Sequence, residues 1–387
     1  MNMESLKDLL NIRKRQKIYE RILNFLRELN NLDKFDYEEH KTLEGIIPVV
    51  YFNKSISISQ AKCIKIFVGA QHNEFNGLFG ILKFLKLVQN QKIIINEILK
   101  GDQVLIFFPL MNPYGFLNPS IDNKSGYFLK NGTNLNRFWR RTFVPEYQNV
   151  NNDEIEYPIP EHAIIVKNIL KKYWEKEYLP IYILDFHETS LLERFPKELS
   201  MDLKKESITY KFDHWLKEGV IQNIMELYDI KYYKKPLFFK CNPTADHNHI
   251  SLSIKQLDTV FEKLLEYMTT NKGKLPFYFC YSDKSKDYCE KLAIIIYNKL
   301  KEKLWETKFP SVNHRFHDHG CLVKMGDATT REKVYSMELE SQKQFFNLFE
   351  EIEESKTNPN YFEEKLKLIN ISLELAVESI LTFINTS

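Results

Sequence analysis

The chain has 387 residues, 43% hydrophobic and 27% charged, an ordinary globular composition that excludes disordered, collagenous and coiled-coil classes. That length suits two or three domains, or one α/β domain with insertions, and it buries enough apolar surface to fold without disulfides or a structural metal. Lys and Arg total 54 against 52 Asp and Glu, so a net charge of +2 gives no bulk-charge drive toward nucleic acid.

The five cysteines (Cys63, Cys241, Cys280, Cys289, Cys321) are odd in number and lack C-x-x-C spacing, which suits a reducing compartment. No apolar signal region opens the chain, and no run reaches the roughly 18 apolar residues of a membrane span. A cytoplasmic location is expected, with neither nucleic acid nor membrane as partner.

Apolar residues three and four apart from about Leu6 to Leu29 predict an amphipathic helix within an N-terminal helical segment, 1–40. In the remainder, 41–387, strand-like runs follow at Ile46–Phe52, Cys63–Gly69, Val104–Leu110 and Ile181–Phe186, with helical patterns at Gly77–Leu87 and Pro160–Tyr173. This alternation implies an α/β fold: a mixed, mostly parallel central sheet with helices on both faces. Residues from about 191 to 320 read as a large helical insertion. Its helical patterns lie near Lys211–Tyr228, Ser253–Met268 and Asp287–Trp305, with one strand candidate at Pro276–Tyr281. A strand at Val334–Leu339 and helices near Gln342–Glu354 and Tyr361–Phe383 close the chain.

Open α/β sheets bind ligands at the carboxyl ends of their strands. Three strand ends here are unusually polar: Gly69-Ala70-Gln71-His72-Asn73-Glu74, Asp185-Phe186-His187-Glu188-Thr189, and Ser336-Met337-Glu338-Leu339-Glu340. Together they supply imidazole and carboxylates from three strands. That set matches a catalytic zinc site with an open position and a nearby general base. Asn112-Pro113-Tyr114-Gly115-Phe116 follows the strand at 104–110, and Asn134-Leu135-Asn136-Arg137-Phe138 comes later. Asn136 and Arg137 suit a carboxylate, which a guanidinium grips through two parallel hydrogen bonds.

The order of these segments resembles the M14-type zinc carboxypeptidases and their aspartoacylase and succinylglutamate desuccinylase relatives. Those proteins carry G-x-H-x-x-E, N-P-x-G, D-L-N-R, a strand ending D-L-H and a strand ending in a catalytic Glu. Here the order reads GAQHNE, NPYGF, NLNRF, LDFHE and YSMEL, spanning roughly Cys63 to Glu340. The resemblance implies a zinc-carboxypeptidase-like fold over 41–387 and one Zn2+ held by Glu74, His187 and a first ligand. An ungapped alignment puts that ligand on Gln71, and one deletion puts it on His72. The ungapped form keeps the loop geometry and is preferred, although imidazole is the better zinc ligand. Asp185 is implied as a support for His187. Glu338 is implied as the base, with Glu340 on the same strand face as the fallback and Glu188 as a look-alike.

Two departures shape the expectation. Between Phe116 and Asn134 there is no Arg to help hold a reacting carbonyl oxygen, only Lys124 and Lys130, with Arg140 and Arg141 beyond. His187 and Glu338 lie 151 positions apart, and the insertion brings in His247, His249, His314, His317 and His319, which could line the mouth or form a rival site. The implied activity is hydrolysis of an amide beside a free carboxylate, removing the C-terminal residue of a peptide. Deacylation of an N-acyl amino acid and peptide binding without cleavage are the alternatives.

Overall fold

A computed structural model describes residues 3–99, 102–144, 157–189, 199–202, 207–211, 233–234, 249–253, 262–263, 266–267, 269–307, 310–313, 320–343 and 348–386. The strands are β1 (Phe35–Thr42), β2 (Gly45–Phe52), β3 (Cys63–Val68), β4 (Gln103–Phe108), β5 (Ile181–Thr189), β6 (Leu199–Asp202), β7 (Ser207–Lys211), β8 (Tyr233–Lys234), β9 (His249–Ser253), β10 (Phe277–Tyr281), β11 (Ser311–Asn313) and β12 (Val334–Gln342). The helices are α1 (Met3–Leu10), α2 (Arg15–Glu28), α3 (Phe75–Gln89), α4 (Ile95–Ile98), α5 (Pro113–Leu117), α6 (Trp139–Phe143), α7 (Glu161–Trp174), α8 (Lys286–Leu300), α9 (Leu322–Ala328), α10 (Leu348–Thr357) and α11 (Tyr361–Asn385).

Eight strands form the main sheet in the order β1-β2-β4-β3-β5-β12-β10-β11. The middle four, β4, β3, β5 and β12, are mutually parallel, while β1, β2 and β10 join antiparallel. The central strands are apolar on both faces, as buried parallel strands must be. Ile64, Ile66, Val104 and Ile106 face a core shared with α6, α7 and α9. Phe67, Leu105 and Phe107 face a larger core under α1, α2, α3, α8 and α11.

Helix α11 is long and apolar enough by composition to cross a membrane, but 67% of its apolar window is buried in this fold. It packs tightly on α3, where a Cβ on Gly80 would stand 2.3 Å from Ala376 Cβ. Its last turn is held by Lys65, a fully buried lysine on β3. The ammonium donates to the carbonyls of Phe383 (2.6 Å), Ile384 (3.0 Å) and Thr386 (2.6 Å). A cation at a helix C-terminus meets both the open carbonyls and the negative end of the dipole.

Several expected boundaries move. The helix expected over Leu6–Leu29 breaks at Asn11, whose side chain accepts from the Arg13 N–H, and α2 restarts at Arg15. Arg15 is buried there and donates to the carbonyls of Leu9 and Phe116, both at 3.1 Å. The segment 1–40 is no separate unit, because α1 and α2 share the larger core and β1 runs through residue 40. β1 escaped notice because an edge strand reading DYEEHK shows no apolar run.

The insertion is not wholly helical. Strands β6, β7, β9 and β8 form a separate antiparallel sheet, and β10, α8 and β11 belong to the main body. The helical patterns over 211–228 and most of 253–268 fall outside the described residues, as do His247, His314, His317, His319 and the His249 side chain. At the far end, Gln342 closes β12 instead of opening a helix, and α10 begins at Leu348.

Candidate metal centre

Register assembles half of the site. In the parallel β5–β12 pair, Asp185 sits opposite Glu338 and His187 opposite Glu340. Alternation along both strands puts all four side chains on one face. The other half comes from the loop after β3. Ala70 takes a left-handed φ of 47° there, a conformation that needs support from its surroundings. The support is a pair of backbone hydrogen bonds, Met111 N–H to the Gly69 carbonyl and Asn112 N–H to the Ala70 carbonyl. A Cβ on Gly77 would stand 2.5 Å from Phe186 Cβ, so α3 comes down onto β5 and brings Glu74 beside His187.

The ligand-type atoms of His72, Glu74 and His187 lie within 4.8 Å of one another, and all three residues are buried. His187 Nδ1 is 2.8 Å and His72 Nδ1 3.3 Å from the same oxygen, Glu74 Oε2. The outer nitrogens are engaged elsewhere. His187 Nε2 is 2.8 Å from Asp185 Oδ2, and His72 Nε2 is 2.8 Å from Asn134 Oδ1. Each Nε2 faces an oxygen that can accept from it, so Nδ1 is the nitrogen of each ring that a metal would take. The donor set of two imidazoles and one carboxylate suits zinc and leaves a coordination position open.

Gln71 is buried one step outward. Its amide nitrogen donates to Asp185 Oδ2 at 2.5 Å, and its oxygen accepts from Trp139 Nε1 at 2.7 Å. Both ends of the amide are occupied, so the preferred ungapped ligand Gln71 braces Asp185, while His72 faces Glu74. The His72 ring also stacks on Tyr127, with centroids 4.0 Å apart.

The acids differ in charge state. Burial works against ionisation of Glu74, yet His72, Lys343 and His187 outweigh it and hold the carboxyl well below its ordinary value. Burial likewise opposes charge on His187, but Asp185, Glu338 and Glu74 hold that imidazole well above its ordinary value. Burial lowers His72 below its ordinary value, with Glu74 pulling the other way. Burial raises Glu338, and raises Glu340 further because the Glu338 carboxyl lies beside it. Glu338 Oε2 stands 3.9 Å from His187 Nε2. Burial pushes Glu188 up to about 8, and its Oε2 accepts the Phe75 N–H at the start of α3, a capping contact away from the cluster's centre.

Asn136 is buried beside the cluster. Its Nδ2 is 3.4 Å from His187 Nε2, and its oxygen accepts the Leu322 N–H. Arg137 is half-buried and donates to the Asn136 carbonyl. Burial pushes Tyr127 up to about 12, with the Arg137 charge pulling the other way. Neither lysine expected to replace the missing Arg has its ammonium described at the cluster. Lys124 lies over the Phe128 ring, and Lys130 is exposed. Arg140 is buried and Arg141 half-buried.

A buried cation does sit there: Lys343, just past β12. Its ammonium donates to Asn73 Oδ1 at 3.0 Å and lies 3.5 Å from Glu74 Oε1. Reading the chain missed Lys343, Asn134 and Trp139 as supports. Asn134 lies inside the NLNRF motif and was legible as a polar residue near the site. Nothing in the local pattern marks Lys343 or Trp139.

No family model and no curated protein matches the chain. Solved structures similar to it include a metallo-carboxypeptidase from Burkholderia cenocepacia, at 13% identity over 94% of this chain and 69% of that one, TM-score 0.47. A metallo-carboxypeptidase from Pseudomonas aeruginosa in complex with (2-guanidinoethylmercapto)succinic acid matches at 10% identity over 94% and 68%, TM-score 0.47. Carboxypeptidase A from Helicoverpa armigera matches at 9% identity over 94% and 73%, TM-score 0.43.

Proposed function

We propose that the chain is a cytoplasmic, zinc-dependent hydrolase that cleaves an amide bond beside a free carboxylate. The leading substrate is a peptide with a free C-terminus. The observation that carries this reading is the aim of two imidazole Nδ1 atoms at one Glu74 oxygen, with both Nε2 atoms already bonded outward. His72, Glu74 and His187 would hold one ion. Such an ion supplies Lewis-acid activation of a carbonyl and of a water.

The protein supplies the proton transfers and the grip. Glu338 accepts a proton from water and returns it to the leaving amine. Burial and the neighbouring Glu338 favour a neutral Glu340, which keeps a second negative charge off this end of the strand. Asp185, braced by Gln71, holds the His187 ring. Arg137 would take the substrate carboxylate, with the Asn136 amide beside it orienting His187. A second reading, an N-acyl amino acid as substrate, is favoured by the burial of every member of the cluster and by the missing Arg between Phe116 and Asn134.

Elemental analysis of wild type, His72→Ala, Gln71→Ala and His187→Ala tests the centre. One zinc per chain is expected in wild type. Structural zinc binding of roughly 10–16 kcal/mol over four ligands implies two to three orders of magnitude in affinity per ligand, and both His variants are expected to show that loss. Gln71→Ala is expected to lose less. Retention of zinc by His72→Ala, with loss in Gln71→Ala, would overturn the ligand assignment. Parallel assays with free-acid peptides, their amides and acetylated amino acids separate the two substrates. Zinc uptake with no cleavage of any would leave a binding role.

A further inference from the structure

A second recess opens on the helical side of the larger core, well along α3 from Glu74. It has a volume of about 540 Å³, inside the usual range for small-molecule sites. Helices α1, α2, α3 and α11 wall it. Ile18, Phe25, Phe79 and Leu82 line it and are only partly buried, so apolar surface stands in contact with solvent here. On α2 the lining residues Ile18, Arg21 and Phe25 fall on one helical face. On α3 Phe79, Leu82, Lys83 and Lys86 do the same, so the two faces look across the recess at each other.

The charge around this apolar wall is one-sided. Arg21, Lys83 and Lys86 line the recess with a single acid, Asp8. Asp8 is already neutralised by Lys14, whose ammonium lies 2.5 Å from its Oδ1. Lys86 bonds Gln89 and lies 5.3 Å over the Phe25 ring, so its charge is held against the apolar wall. Among the described residues, neither Arg21 nor Lys83 has a carboxylate within ion-pair distance. An apolar trough bordered by three cations and no available anion is complementary to a ligand that is apolar along its length and negative at one end.

We propose that this recess binds a single-chain hydrophobic anion of the fatty-acid class. The acyl chain lies between α2 and α3, and the carboxylate sits among Arg21, Lys83 and Lys86. A neutral chain would leave the three cations uncompensated, and a cationic amphiphile would be repelled. The site is separate from the metal centre, so it stands or falls independently of the hydrolase reading.

The test is calorimetric titration of the full chain with octanoate, decanoate and dodecanoate below their micelle concentrations. Dodecanol and dodecyltrimethylammonium serve as head-group controls. One saturable site is expected, tightening by up to about fourfold per buried methylene. The double variant Arg21→Glu/Lys83→Glu is expected to weaken dodecanoate about tenfold, with metal content and melting temperature unchanged. Equal binding of all three head groups would overturn the proposal. So would undiminished binding by the double variant, or the absence of saturable binding. If the double variant melts early, Lys86→Gln provides the second arm, with a smaller loss of dodecanoate affinity expected and none of dodecanol.

Discussion

Buried charge is handled in two different ways in this molecule. Lys65 is a single ammonium inside the sheet, and three carbonyls of α11 take all three of its N–H groups. Arg331 donates to the carbonyls of Tyr173 and Trp174 at the end of α7 and of Leu179 beyond it, with its Nε lacking a partner among the described residues. At the strand ends the arrangement is the reverse. Five carboxyl groups crowd one imidazole pair, and Asp185 Oδ1, Glu188 Oε1 and Glu340 Oε2 are buried without a hydrogen-bond partner among the described residues. Lys65 has a complete partner set, whereas several strand-end acids keep an unused oxygen and a raised affinity for protons. Incomplete satisfaction of that kind is tolerated where chemistry is done.

The sharpest test of this contrast is Glu338→Gln. It keeps the shape and removes the proton acceptor, so turnover is expected to fall between about 10²- and 10⁴-fold while zinc content is retained. An active variant would move the base to Glu340. On the structural side, Lys65→Met strands three helix-end carbonyls in the core. A loss of about 3 kcal/mol in denaturant unfolding is expected, roughly 150-fold in the folding equilibrium, with zinc affinity per folded chain unchanged. If Lys65→Met changed zinc affinity instead, the division between the two kinds of charge would fail.

Lys343 sits on the boundary between the two classes, since it is buried like Lys65 but faces Glu74. Lys343→Met is expected to weaken zinc binding about 10- to 100-fold, as removal of a ligand's outer partner does, with Lys343→Arg recovering part of the loss. Unchanged zinc affinity would make it a structural cation.

His162 supplies the smallest effect. Burial lowers it to about 4, and its Nε2 has no partner, although it lies far from the cluster in sequence. The folded state holds it neutral while the unfolded chain protonates near 6.5, so its contribution is complete above that pH and is lost as pH falls toward 4. Between pH 6.5 and 5.5 this amounts to about 1 kcal/mol, and His162→Leu is expected to flatten that slope. An unchanged slope would place the low-pH loss elsewhere.

Much of this was readable from the chain because apolar runs are local. Cys63–Val68, Gln103–Phe108 and Ile181–Thr189 announce buried strands, and the polar residues that follow them must then gather at one sheet edge. Glu74, His187, Asp185 and Glu338 were legible for that reason. Which of Gln71 and His72 turns toward Glu74 was not, because the Gln71 amide oxygen is taken by Trp139, 68 positions away. Edge strand β1 and the small sheet of β6–β9 gave no apolar run to read.

The β5–β12 pairing has a consequence for how the protein can change. Asp185 and Glu338 face each other by hydrogen-bonded register, not by the chain that joins them. Closing a loop becomes harder only logarithmically with length, by about 0.6 kcal/mol per doubling. The part of the chain between β5 and β10 is therefore nearly free to lengthen, shrink or be exchanged while the two strands stay side by side, whereas β10, α8 and α9 are fixed in the main body. Whatever that excursion contributes to selectivity can drift quickly through descent, while the acids and imidazoles beneath it are locked in place by the pleat.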